Sequence, residues 1–370
     1  MARRCLLGLW VLILLASPAH ADLYKNDTFR IFADFRARLE ADWDSQDAMG
    51  VERDDRTRFR VRVRVGFVHQ PDDRWEFGMR LRSGNELSQQ SPHVTLLDFD
   101  DNDTGPTDFN FDRWYVKSTF KNGVWASAGR NSLPFWKQNE LVWDDDVTPA
   151  GVGVGHQQTI GKRGTLGFQG GYFTLPEGMN EFFGSLLSAQ GVYSHDGERL
   201  DVTVAAGLLN LDADPIGSGT ILLNGNDMRD YRLQVVSAQL KLKAGGRPLR
   251  VGGDLIENSQ DYPGDPDADR TSGWVGSLHW GATKERGDWL LAWYVARIER
   301  LAVNSSFSQD DWVRWGNGPQ TRASDFRGHE LRFAYGLGEG SNLVARLYLV
   351  EALSSVEDGS RLRVDYNKRF

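Results

Sequence analysis

Four arginines, Arg58, Arg60, Arg62 and Arg64, stand at alternate positions with Phe59, Val61, Val63 and Val65 interleaved. A guanidinium stays protonated at physiological pH and presents its donors in a planar fork. A row of them therefore binds anions or sets up a local positive field. The spacing recurs at Arg36 and Arg38, at Arg80 and Arg82, and late in the chain at Arg361 and Arg363, with Arg346 in a similar setting. No catalytic constellation competes with it. The histidines beyond residue 21 (His69, His93, His156, His195, His279 and His329) are scattered, and neither an HExxH nor a GxSxG pattern occurs. The expectation is a non-enzyme with no cofactor and no metal. Asp98, Asp100, Asp101, Asn102 and Asp103 carry oxygens of the kind calcium takes, but an acidic loop tip is more often simply hydrated.

Composition narrows the class. The 370 residues carry 43 Lys+Arg against 51 Asp+Glu, a net charge of −8, which argues against a nucleic-acid binder. The one cysteine is Cys5, so a disulfide scaffold or a Cys-ligated metal is excluded. Mean hydropathy is −0.47, and beyond the N-terminus no apolar run has the roughly 18 residues of a membrane helix. Residues 1–21 read as an export signal: Arg3 and Arg4, the apolar run Leu6–Ala16, then Ala19-His20-Ala21 before Asp22. The protein is expected to leave the cytoplasm of a Gram-negative bacterium, with residues 22–370 as its mature body.

Arginines two residues apart share a face only on a β-strand. Between 29 and 43 the odd positions run Phe, Ile, Ala, Phe, Ala, Leu, Ala, Trp, while the even ones include Arg30, Asp34, Arg36, Arg38, Glu40 and Asp42. This period of two recurs at 58–67, 74–82, 109–120, 123–130, 151–159, 165–174, 184–194, 199–209, 230–243, 249–258, 272–283, 288–300, 326–337, 342–353 and 361–370, sixteen strands in all. Short turns alternate with mostly longer connections, among them 84–108, 131–150, 210–229, 259–271 and 301–325. Such asymmetry predicts an all-β fold: a transmembrane antiparallel up-and-down β-barrel with short periplasmic turns and long extracellular loops. A soluble sandwich also alternates, but has no reason for unequal connections. Facing lipid, each arginine would cost roughly 2–4 kcal/mol at mid-membrane, so the arginines are expected to line a wet interior. Trp43, Trp75, Trp114, Trp274, Trp289 and Tyr366 fit interfacial girdles; a sugar-stacking slide is the alternative.

The last strand alternates Leu362, Val364, Tyr366 and Phe370 with charged residues and ends on that phenylalanine, which resembles the terminal signature of bacterial outer-membrane proteins. Gly129-Arg130, Leu133-Pro134-Phe135-Trp136, Leu141-Val142-Trp143-Asp144 and Thr148-Pro149-Ala150-Gly151-Val152 resemble the segment after the fifth strand in the bacterial "putative porin" family. That resemblance implies a sixteen-stranded outer-membrane barrel through which small hydrophilic solutes and ions diffuse, a third loop folded into the lumen, and a homotrimer in lipid. Residues 131–150 are the third long connection on the strand count alone.

Because the last strand must close on the first, the final three strands and the first three form one wall. On its lumen phase stand fifteen arginines, among them Arg36, Arg38, Arg58, Arg60, Arg62, Arg64, Arg80, Arg82, Arg346 and Arg363, against six acids. Loop 131–150 offers Glu140, Asp144, Asp145 and Asp146 as facing carboxylates across a constriction. Facing charges of this kind set ion preference. Solvated acids, or acids that only pin the loop, are the plainer reading. Two further functions stay open on these residues: a channel selective for anionic solutes or an acidic polysaccharide, and a plugged structural or adhesive barrel.

Overall fold

The computed structural model describes residues 22–100, 104–105, 107–213, 229–243, 246–312 and 323–370. The export segment 1–21 and three of the candidate calcium residues, 101–103, lie outside them. Among the described residues there is no helix, and sixteen antiparallel strands close into a barrel. In chain order these are β1 (Phe29–Gln46), β2 (Arg56–His69), β3 (Trp75–Ser83), β4 (Phe109–Thr119), β5 (Val124–Arg130), β6 (Ala150–Ile160), β7 (Gly164–Pro176) and β8 (Phe182–Asp196). The second half runs β9 (Leu200–Asp212), β10 (Tyr231–Leu242), β11 (Leu249–Asn258), β12 (Ser272–Gly281), β13 (Trp289–Ile298), β14 (Phe326–Gly338), β15 (Ser341–Ala352) and β16 (Asp358–Arg369).

Two short pieces complete the sheet. Tyr24–Lys25 pairs with the start of β1. Val94–Asp98 pairs with β2 at Arg58–Val61, where β3, which covers Arg64–His69, has left it. The long connection after β3 is therefore not all loop: it returns to the wall, and residues 84–93 are the excursion between.

Exposure follows the alternation. Along β12 to β15, Trp274, Leu278, Leu291, Trp293, Leu331, Phe333 and Leu349 are exposed, while Val275, Ser277, Ala292, Tyr294, Glu330 and Tyr348 on the other phase are buried. On β1, β2 and β16 the buried phase holds Arg38, Glu40, Asp42, Arg62, Arg361, Arg363 and Asp365. The apolar set faces outward, where lipid removes the cost of its exposure. Trp75, Trp114 and Trp274 are exposed as a girdle requires, but Tyr366 is only 3% exposed.

Charge pairs fix the closing register. Across β16 and β1, Arg361 lies opposite Asp42, Arg363 opposite Glu40 and Asp365 opposite Arg38, at 2.5, 2.6 and 2.7 Å. Across β1 and β2, Asp42 faces Arg56 at 2.9 Å, Asp34 faces Arg64 at 2.7 Å, and Glu40 pairs with Arg58. Each opposed pair contributes roughly 0.2–1 kcal/mol. A one-residue slip would turn every one of these charges into lipid.

The same register also sets arginine against arginine. Arg332, Arg346 and Arg363 are opposed in one row across β14, β15 and β16, as are Arg38 with Arg60 and Arg36 with Arg62 on β1 and β2. Like charges directly opposite are destabilising; neighbouring wall acids offset part of this, Asp34 on Arg62 at 2.8 Å and Glu330 on Arg332 at 2.6 Å, and Arg346 has none among them.

Candidate functional site

Segment 131–149, between β5 and β6, folds into the barrel and lies against the far wall. Its apolar residues Leu133, Phe135, Leu141, Val142, Trp143 and Val147 are buried in one cluster with Leu209, Leu233, Val235, Ile256, Val275 and Tyr294. Glycines make the seat. A Cβ on Gly207 would meet the Phe135 ring at 2.6 Å, and one on Gly252 would meet the Gln138 amide at 2.0 Å. Polar groups fasten the segment: Trp136 N donates to Gln190 Oε1 at 2.6 Å, Gln138 Nε2 donates to Asp254 at 2.8 Å, Asn139 donates to the same carboxylate, and Ser277 Oγ donates to Gln138 Oε1 at 2.7 Å.

Of the four acids expected to face the arginines, Asp146 does so. It accepts from Arg64 at 2.8 Å and lies 4.0 Å from Arg62. Burial raises its pKa, but Arg64, Arg62, Arg82 and Arg80 outweigh that and hold the carboxyl far below its ordinary range. The other three have different surroundings, which corrects the picture of a four-carboxylate face. Asp145 is exposed and pairs with Lys137 at 2.7 Å. Asp144 is buried, accepts from Asp146 N at 2.7 Å, and is pushed well up by burial and by Glu140 and Asp146. Glu140 is pushed up to about 7, by burial first, with Lys137 opposing and Asp145, Asp146 and Asp311 adding to it.

A second inward segment, 301–312 after β13, meets the first. Asp144 N donates to Phe307 O at 2.7 Å, Gln309 N donates to Glu140 O at 3.0 Å, and the Trp143 and Phe307 rings stack with centroids 5.3 Å apart. The 84–93 excursion joins them: Gln89 Nε2 donates to Ser306 O at 2.7 Å and Gln90 Nε2 to Ser305 O at 2.8 Å. Sequence reading places 301–325 among the outer loops and leaves Asp311 unnamed. Yet Asp311 sits on the arginine row, paired with Arg363, 3.4 Å from Arg346 and 3.9 Å from Arg38. The only local hint was Trp312, apolar amid Gln309, Asp310 and Asp311.

The ten expected wall arginines all stand on strands of the closing wall, and their partners differ. Arg36 donates to Asn367 at 2.6 Å, Arg60 to Ser91 Oγ at 3.1 Å, Arg62 to Asp34 at 2.8 Å, and Arg80 pairs with Asp112 at 2.5 Å. Arg82 is fully buried and donates to Gln89 O at 2.7 Å, so it anchors the excursion. The Nε donors of Arg58, Arg60, Arg62 and Arg346 are buried without a hydrogen-bond partner. Among the described residues no group of three or more His, Cys, Asp or Glu is placed to hold a metal ion, and Asp100 accepts from Thr57 N at 2.6 Å.

A closed sixteen-stranded barrel with an apolar belt and inward-folded connections is the architecture of an outer-membrane channel. The model of a family described as putative porin matches residues 27–193. Solved structures with the same fold include Pseudomonas putida OprB at high pH (14% identity over 93% of this chain and 94% of that one, TM-score 0.59). An anion-selective porin from Comamonas acidovorans (12%, 93% and 99%, TM-score 0.55) and Salmonella typhi OmpF (11%, 94% and 99%, TM-score 0.54) also share it. None of the curated proteins matches the chain. The chain therefore has the sixteen-stranded fold of the outer-membrane porins, and the stretch 27–193 carries its likeness to the putative porin family.

Proposed function

We propose that the constriction lies between the arginine wall and the two inward segments, and that it passes small hydrophilic solutes and ions with a preference for anions. The observation that carries this is the set of arginine-against-arginine rows. Among the described residues the inward segments add Asp146 and Asp311 to the acids of the wall itself, and Arg58, Arg60, Arg62 and Arg346 still keep buried Nε donors without a hydrogen-bond partner. The far side is covered by the 131–149 segment, which Gln190, Asp254 and Ser277 hold in place, so the charge facing the wall is carried by the inward segments. A transverse field of this kind favours anions and orients dipolar solutes. The Comamonas neighbour, called anion-selective, supports the direction of the preference.

The assembly is read as a homotrimer in outer-membrane lipid, a reading supported by the trimer form of Vibrio cholerae OmpT (11% identity over 93% of this chain and 99% of that one, TM-score 0.51). Residues 1–21 are read as a cleaved export segment. The test is a salt gradient across a planar bilayer. Wild-type protein should give an anion-sided reversal potential and conductance in steps of three, and replacing Arg60 and Arg62 by Ser should bring the potential toward zero. An unchanged potential in the double variant would refute the selectivity.

A further inference from the structure

Asp311 is surrounded as a bound ligand would be. Its Oδ1 meets Arg363 and, at 3.9 Å, Arg38; its Oδ2 lies 3.4 Å from Arg346 Nη1 and 3.3 Å from Gln309 Nε2. Arg361 Nη1 donates to its backbone carbonyl at 2.8 Å. The three guanidiniums come from three strands, β1, β15 and β16; Arg38 also holds Asp365 and Arg363 also holds Glu40, while Arg346, opposite Arg363, has Asp311 as its carboxylate. More donor capacity stands there than Asp311 uses. Arg346 Nε is buried and unpaired, and so is the hydroxyl of the fully buried Tyr348, two residues along the same face, with Arg363 5.7 Å from its ring centre.

We propose that Arg38, Arg346 and Arg363 form a binding site for the carboxylate of a small permeating organic acid, and that Asp311 is its tethered occupant. This deepens the reading of the barrel as an anion-preferring porin and rests on it. A planar anion with two oxygens fits because both oxygens of Asp311 are engaged by donors from opposite sides. A tethered carboxylate acts at an effective concentration of order millimolar, so a free acid competes weakly while Asp311 is present and strongly once its charge is gone. The site is then a selectivity element whose strength the 301–312 segment sets.

The test compares wild type, Asp311→Asn and Asp311→Glu in planar bilayers in about 0.1 M KCl, where charge is only partly screened, with gluconate as the acid and glucose as its uncharged control. In D311N, gluconate should block the current saturably at a half-blocking concentration at least tenfold lower than in wild type. D311E should behave as wild type, and glucose should block none of the three. Equal block in wild type and D311N, or block by inorganic phosphate with none by gluconate, would overturn the proposal. A chemical rescue is independent of conduction: acetate should raise the melting temperature of folded Asp311→Gly barrels and leave wild type unchanged, and no rise would count against the site. Absence of current from all three proteins, with rescue by acetate intact, would defeat the porin reading and leave the carboxylate site standing.

Discussion

The two halves of the lumen hold the inward segments by different physics. On the closing wall, β14 to β16 and β1 to β3, contact is made by charge: Asp146 on Arg62 and Arg64, Asp311 on Arg38, Arg346 and Arg363. On the far wall, β6 to β13, it is made by apolar burial over a glycine floor, with a few amide hydrogen bonds. Buried ion pairs lose much of their attraction to desolvation, whereas apolar area removed from water is stabilising without that opposing term. The far wall therefore positions the loops, and in the proposed function the charged wall selects what passes them.

The largest effect separating the two should come from Trp143→Ala. Trp143 is 2% exposed and stacked on Phe307, and losing a buried aromatic ring costs about 3–5 kcal/mol. Because the barrel's strands do not include it, the folded barrel should survive on gels while the 131–149 segment becomes protease-sensitive and the single-channel current larger and noisier. A quiet, protease-resistant channel would mean that charge alone holds the loop. Next comes Asp254→Ala, which strands the amides of Gln138 and Asn139; leaving buried donors unpaired costs roughly 1–3 kcal/mol. Proteolysis of the segment should quicken, with the reversal potential little changed.

A pH series probes the contact between the inward segments. The Glu140 carboxyl, raised to about 7 when docked, has an ordinary acidic pKa once the segment is released. Docking is then strongest where Glu140 is protonated in both states, weakens as pH rises from about 4.5, and is weakest above about 7. Protease cleavage within 131–149 should be faster at pH 8 than at pH 5, and Glu140→Gln should reduce that difference, the remainder belonging to Asp144, which burial also pushes up. A flat wild-type profile would show that the group titrates normally. The smallest effect is expected from Val154→Ala on the lipid face, where Val154 is exposed. A change within about 0.5 kcal/mol is expected for such a site, and a large loss on urea unfolding would place that face in a subunit contact instead.

Much of this architecture was legible in the chain. Strand phase is a local property: whether Arg60 points in or out depends on its neighbours Phe59 and Val61 and on the cost of a cation in lipid, both readable from adjacent residues. The third loop was found by counting strands. What stayed hidden lies in contacts between distant residues. Glu140, Asp144 and Asp146 look alike in sequence, and only the seating of Trp143 against Phe307 decides that Asp146 reaches Arg64 while Asp144 turns to a backbone amide. Apart from the neighbouring Trp312, nothing near Asp311 in the sequence pointed to its role, because its three arginines stand at 38, 346 and 363.

By itself the sequence determined which face of each strand meets lipid, where the chain turns, and that a band of arginine lines one side of the lumen, since alternation and the price of exposed charge act residue by residue. The tertiary structure alone decided which arginines oppose one another, which acids answer them, and how three connections meet inside the barrel. Those outcomes follow from closure register and from apolar burial between segments far apart in the chain, which no local pattern encodes.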